Sequence, residues 1–291
     1  MVRSACISIL LALSAGAARA QTDTLVQLAA WPVPPGASEL EVDAEGNFWL
    51  LYPARNEVHK RYAVSGYDSV AVVGGRGVGG EGFADPRGLQ AVGRSEVYLL
   101  DYGNQRLVLL TANLRVGRSV EFAQAAVAPP GEDATLFLLP KAFAVSPIGE
   151  LFVLHQDDNR IYKFDPTGRF ELAFGGTTYG AGSTARADGL VPLPGNYLWV
   201  PDSSRGEVRV FDNLGNFRAL QRSGSRFGGI RPWLQGSVTW LGTRVQVVGP
   251  GGQVPLAEAH TPQVVADVAP VGDRLYVLAG DVVLLWSLKR R

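Results

Sequence analysis

The chain has 291 residues, with 27 lysines and arginines against 27 aspartates and glutamates, 35 glycines, 18 prolines and one cysteine. The even charge balance gives no long-range attraction to nucleic acid or to an anionic membrane. A single cysteine excludes an intramolecular disulfide and a cysteine metal site.

The N-terminus has the pattern of an export signal. Arg3 supplies a short positive region, Ala5 to Ala18 is apolar, and Ala18-Arg19-Ala20 fits small-x-small cleavage. Residues 1–20 are therefore expected to be removed, leaving Gln21 first and 21–291 as one domain. The apolar run is short of the roughly 20 residues a spanning helix needs, so no membrane span is expected after cleavage. Cleavage also removes Cys6, Arg3 and Arg19, leaving 25 basic residues against 27 acidic ones. The expected location is periplasmic or extracellular.

After the signal comes Leu25 to Trp31, a strand-like segment that stands before any repeat. Apolar runs then recur: Phe48-Trp49-Leu50-Leu51, Val97-Tyr98-Leu99-Leu100, Leu151-Phe152-Val153-Leu154, Leu198-Trp199-Val200 and Leu275-Tyr276-Val277-Leu278. The anchors Trp49, Tyr98, Phe152 and Trp199 follow one another at intervals of roughly 50 residues, a repeat regime. Each is preceded by another apolar segment and followed by a turn and a third strand, as at Val58–Tyr62, Leu107–Leu110, Ile161–Phe164 and Val208–Phe211. Several of these strands are apolar on both faces, which requires a sheet covered on both sides. Stacked propeller blades meet that requirement.

The interval from Trp199 to Tyr276 is too long for one unit. Gly236–Val248 reads as a hairpin parallel to Asp273–Leu285, which places Val238 or Thr239 at the anchor of a further unit. The reading is an all-β, six-bladed β-propeller of four-stranded antiparallel blades. Its ring is closed by the N-terminal strand, which supplies the strand the last unit lacks. Five blades with an irregular Phe227–Gln263 segment is the alternative. Ala123 to Ala128, ended by Pro129-Pro130-Gly131, is the best helical candidate.

Three units carry fuller motifs. Asp101-Tyr-Gly-Asn104-Gln-Arg106 follows the second strand of one, and Asp165-Pro-Thr-Gly168 and Asp212-Asn-Leu-Gly215 follow the third strand of two others. In the Asp-x-x-Gly turn the aspartate caps backbone amides and the glycine takes the left-handed position. With these motifs the chain resembles NHL-repeat propellers over most of 21–291. The resemblance implies the fold and little about chemistry, since propellers host enzymes, receptors and scaffolds. RNA binding, known for some NHL propellers, is set aside for an exported chain of balanced charge.

Chemistry-bearing motifs are sparse. There is no G-x-S-x-G, and the Val73–Gly80 glycine run lacks the G-K-[ST] of a phosphate loop. His59, His155 and His260 show no zinc spacing. Lactonase-like propellers gather carboxylates around the channel, and the position eight before each clear anchor reads Glu41, Gln90, Ala144, Val191 and Val268. Too few are oxygen ligands for a hard cation, although Asp43, Asp188 and Asp267 could approach the channel mouth in another register. No catalytic residue, metal or cofactor is expected from this pattern.

The long glycine-rich loops between units carry Arg76, Arg186, Arg226 and Arg231 with Tyr179 and Phe227. The turns after the second strands add Arg106, Arg160 and Arg205, and His155 precedes one of them. In propellers both loop sets open on one rim, and arginine with aromatics is a binding-surface composition. The expected function is binding or scaffolding in the cell envelope, through this rim, of a protein, peptide or glycan. The alternative is a lactonase-like hydrolase or lyase with its site at the channel mouth.

Overall fold

The computed structural model describes residues 23–122, 139–177, 180–250 and 255–290. The signal segment, the Ala123–Ala128 candidate helix and Tyr179 lie outside them. Among the described residues there are 24 strands in six four-stranded antiparallel sheets, and helical structure is limited to three short 3-10 turns.

From the channel outward, blade one is β2 (Glu39–Val42), β3 (Phe48–Tyr52), β4 (Glu57–Arg61) and β5 (Val70–Gly74). Blade two is β6 (Pro86–Val92), β7 (Glu96–Asp101), β8 (Arg106–Leu110) and β9 (Val116–Glu121). Blade three comprises β10 (Pro140–Val145), β11 (Leu151–His155), β12 (Arg160–Phe164) and β13 (Phe170–Gly175). Blade four comprises β14 (Val191–Leu193), β15 (Tyr197–Asp202), β16 (Glu207–Asp212) and β17 (Phe217–Arg222). Blade five, the weakest in sequence, is complete: β18 (Gly229–Trp233), β19 (Gly236–Leu241), β20 (Arg244–Val248) and β21 (Pro255–His260). The irregular-segment alternative is therefore discarded.

Blade six is made from both ends of the described chain. Its inner strands are β22 (Val265–Val271), β23 (Arg274–Ala279) and β24 (Val282–Lys289), and its outermost strand is β1 (Thr24–Pro32). The β1–β24 register runs from Thr24 opposite Lys289 to Pro32 opposite Val282, with a bulge between Gln27 and Ala29. Closure in this way removes the unpaired edge that β24 would otherwise present.

The second strands are buried on both faces apart from their end residues, as the sequence pattern required, and every residue of β3 and of β11 is buried. Their side chains form six apolar clusters, one at each blade–blade interface. Trp49, Leu51, Leu99 and Val108 join blades one and two, and Leu100, Phe143, Val153 and Tyr162 join two and three. Phe48, Tyr52, Tyr276 and Leu285 join blade one to blade six, with Trp31 of β1 packed against them.

The turn motifs do what their chemistry dictates. Asp165 accepts from the amides of Thr167 (2.8 Å) and Arg169 (3.0 Å), and Gly168 sits at φ +88°. Asp212 accepts from Leu214 and Asn216 in the same way.

The closure predicts a specific cost. The Trp31 ring lies 4.7 Å from that of Tyr67 and 5.4 Å from that of Phe48. Trp31→Ala should therefore destabilise the protein by about 3 kcal/mol, measured by urea unfolding. A loss under about 0.5 kcal/mol, the range of ordinary surface changes, would mean that β1 is not part of the cooperative fold.

Candidate functional site

The six innermost strands β2, β6, β10, β14, β18 and β22 surround a central channel. On the face that carries the blade-to-blade loops, the channel opens into a cavity of about 600 Å³. Three bulges, at Arg87/Leu89 in β6, Pro140/Ala142 in β10 and Val265/Asp267 in β22, shape this mouth. A bulge inserts one extra residue and re-aims its neighbours. The inserted residues Gly88, Lys141 and Ala266 all line the cavity. Gly88 is at φ +72°, and a Cβ there would lie 2.9 Å from the Phe143 ring, so glycine is required on both counts.

Four charged side chains make the floor and waist of the channel. Glu39 and Glu41 stand two apart on β2 and so project to the same side. Glu39 accepts hydrogen bonds from the amides of Gly88 (2.7 Å) and Leu89 (2.6 Å) of blade two. Glu41 accepts from Ala91 at 3.3 Å. Asp267 on β22 accepts from the Leu40 amide at 3.1 Å and from its neighbour Val268 at 2.8 Å. Arg231 on β18 reaches across, with Nη2 3.1 Å from Glu41 and 3.3 Å from Asp267. Arg231 and Gln90 border both this cavity and a smaller one of about 200 Å³ on the far side of the waist.

Three carboxylates against one guanidinium in a confined space shift the balance of protonation. Burial, reinforced by the Asp267 charge, pushes Glu39 up to about 7 from its ordinary 4.5. Burial pushes Glu41 to about 7 as well, with Arg231 opposing and Asp267 adding to the rise. Burial acts to lower Arg231, but Asp267, Glu41 and Glu39 outweigh it and hold the guanidinium more firmly protonated than usual. The side chains are deep yet wetted, with 14 % of Glu41 and 23 % of Arg231 still open to the channel. Among the described residues, no group of three or more His, Cys, Asp or Glu is arranged to hold a metal ion.

Several other polar groups of the cavity are engaged locally, although the buried Ser38 hydroxyl has no hydrogen-bond partner among the described residues. Lys141 donates to the Ala187 carbonyl at 2.7 Å, Asp188 accepts from the Ser203 amide at 3.0 Å, and Arg87 pairs with Asp85 at 2.6 Å. Asp43 does not reach the channel. It takes bonds from Asn47, Trp49 and Ser95, which outweigh its burial and hold its carboxyl below the usual range.

The arginines singled out from the sequence are dispersed. Arg76, Arg186 and Arg226 are exposed on the blade-to-blade loops, on the same face as the channel mouth. Arg186 and the exposed Arg205, which lies 3.8 Å from Asp202, border a shallow depression of about 240 Å³. Arg160 is half-buried at the start of β12. Three expectations of rim exposure are corrected. Arg106 is buried, bonding Asp101 at 2.8 Å and the Gly82 carbonyl at 2.8 Å, and so pins the glycine loop to its blade. Arg231 lies within the channel. His155 is buried at the end of β11 against Asp158, 2.9 Å away.

Glu39 and the role of Arg231 were missed from sequence for a register reason. In blades one to four the anchor pairs with the residue eight before it, as Trp49 with Glu41 and Tyr98 with Gln90. Two-residue turns in blades five and six shorten this to seven, pairing Val238 with Arg231 and Tyr276 with Ala269. Extending the count to Val238 with the shorter turn would have found Arg231, and stepping two back along β2 would have found Glu39.

No known family's sequence profile matches the chain, and no curated protein matches it in sequence. Solved structures do match. Virginiamycin B lyase from Staphylococcus aureus superposes with a TM-score of 0.60 at 11% identity, over 90% of this chain and 99% of that one. The Pan2 WD40 domain of Neurospora crassa gives 0.59 at 10% identity, over 93% and 97%. A luciferin-regenerating enzyme gives 0.58 at 11% identity, over 92% and 95%. Likeness at this identity establishes the propeller and leaves the chemistry to the site.

The folded Glu39 and Glu41 bind protons between about 4.5 and about 7 where the unfolded chain does not. Stability from this pair therefore falls as pH rises through that window. Urea unfolding should show a loss of about 2 kcal/mol for each glutamate between pH 5 and 7.5, flattened in Glu39→Gln/Glu41→Gln. An unchanged slope in the double variant would refute the assignment. Arg106→Met, which leaves Asp101 buried without its cation, should cost about 3–5 kcal/mol, whereas Arg226→Met should cost under about 0.5 kcal/mol.

Proposed function

We propose that this chain is an exported β-propeller of the NHL type that binds a ligand on its loop-bearing face, with the channel mouth as the seat. The observation that carries the reading is the cavity of about 600 Å³ floored by Glu39, Asp267 and Arg231. Its volume falls within the range that encloses small ligands or the end of a larger one. A mixed-charge floor supplies orientation, and Phe143, Phe227 and Trp240 at the walls supply apolar contact. Around it stand the exposed Arg76, Arg186 and Arg226, which suit the periphery of a partner surface. The partner is a protein, peptide or glycan of the cell envelope. Support for export comes from the charge, apolar run and Ala18-Arg19-Ala20 of the first 20 residues. No helix among the described residues is long and apolar enough to cross a membrane.

A second reading is favoured by one observation. Carboxylates that titrate near 7 are suited to general acid–base work at neutral pH, and Glu39 borders the open cavity. A hydrolase or lyase acting at the channel mouth would use Glu39 in that role. The two readings separate on a screen of lactones and esters, with turnover abolished by Glu39→Gln. A divalent metal retained after dialysis at a stoichiometry near one would add weight to the enzyme.

The binding reading is tested by blocking the seat. Ala266 is exposed at the cavity wall, so Ala266→Trp should fold normally and fill the mouth. Capture of partners from an envelope extract should fall by about tenfold or more in this variant, and also in Arg76→Glu/Arg186→Glu/Arg226→Glu. Undiminished capture by both variants would sink the assignment.

A further inference from the structure

On the face opposite the channel mouth, turns between the first and second strands of blades two, three and four meet around another cavity. Its volume is about 520 Å³, again the size of a small-molecule pocket. The walls are largely apolar, with Leu109 from blade two, Pro147 from blade three, and Pro192 and Pro194 from blade four. Prolines present flat, rigid surfaces whose ordering costs no side-chain entropy.

Two polar groups in this cavity have no hydrogen-bond or ion-pair partner among the described residues. Tyr98 lines the cavity and is 7 % exposed as a residue, and among the described residues its hydroxyl makes no hydrogen bond. The ring is packed into the core between blades two and three, while the oxygen itself is not sealed from solvent and is open to a ligand. Glu96, two residues earlier and also lining the cavity, is half-buried and has neither an ion pair nor a hydrogen bond. Their polar neighbours are already engaged. The Gln90 amide bridges the backbone of Val145 in both directions, at 2.7 and 2.8 Å. Ser146 is bonded to Glu150 at 3.1 Å, and the Arg118 guanidinium donates to the Pro166 carbonyl. The pocket therefore offers a flat apolar enclosure with one carboxylate and one hydroxyl that have no partner among the described residues.

We propose that this cavity is a binding site for a small ring-bearing primary amine. The ring lies against the proline walls, the ammonium donates to Glu96, and the Tyr98 oxygen accepts a second N–H. A carboxylate in the same place would face Glu96 with like charge. The site is independent of the channel-mouth seat, because it opens on the other face and shares none of that site's acidic residues.

Calorimetry with 2-phenylethylamine and 3-phenylpropionate, which differ in the sign of the polar end, tests this on the purified protein. The amine should bind at least about tenfold more tightly than the acid. Glu96→Gln should abolish the preference. Tyr98→Phe should weaken the amine by about fivefold with no fall in Tm, since the hydroxyl has no partner to lose. Ala266→Trp should leave amine binding unchanged. Equal binding of the two probes, no saturable binding, or amine binding that survives both Glu96→Gln and Tyr98→Phe would overturn the proposal. So would loss of amine binding in Ala266→Trp, which would place the amine at the other mouth, or a Tm drop of several degrees in Tyr98→Phe.

Discussion

The inner strand of each blade is an edge, and the groups on that edge face a narrow channel instead of another strand. Backbone amides confined there need acceptors, and this protein provides them largely from the side chains of the neighbouring blade. Asp267 of blade six takes the Leu40 amide of blade one. Glu39 and Glu41 of blade one take three amides of blade two. Gln90 of blade two satisfies both backbone groups of Val145 in blade three. The carboxylates of the channel are thus acceptors first, and their position follows from the edge they serve.

That arrangement explains why the channel is charged in a molecule of even composition. Each acidic acceptor sits where an amide must be met, and three of them fall within reach of one another. Arg231 compensates two directly. Burial disfavours the charged form of both glutamates, and the Asp267 charge adds to it, which is why both titrate near 7. A structural demand at the inner edge therefore creates a group of the kind that binding and acid–base chemistry use. The same is true of the bulges: they disturb the ladders of β6, β10 and β22, and in doing so they widen the mouth.

A lyase, a WD40 domain and a luciferin-regenerating enzyme share the architecture at 10–11% identity. Blade stacking is satisfied by any sequence with buried second strands, so it constrains the interior without constraining the channel. What distinguishes this chain is local. It has the mixed-charge waist on one face and, on the other, a proline-walled pocket where Tyr98 and Glu96 have no hydrogen-bond or ion-pair partner among the described residues.

Local periodicity was enough to establish the blades. Runs such as Phe48–Leu51 and Leu151–Leu154 are apolar at consecutive positions, and only a sheet covered on both faces accommodates them. The leading strand Leu25–Trp31 and the missing outer strand of the last unit likewise implied closure from sequence alone. The turn motifs at Asp165 and Asp212 were legible because an aspartate, its amides and its glycine are near neighbours in the chain. The site was not legible in the same way. Glu39, Asp267 and Arg231 are brought together from three blades, over separations of up to 228 residues between Glu39 and Asp267, and their register turns on whether a hairpin has a two-residue turn. Arg106 and His155 looked exposed because they flank turns, and only the packed structure supplied Asp101 and Asp158 as partners. Covalent neighbours decide local conformation, whereas convergence in the channel is decided by how six blades close into a ring.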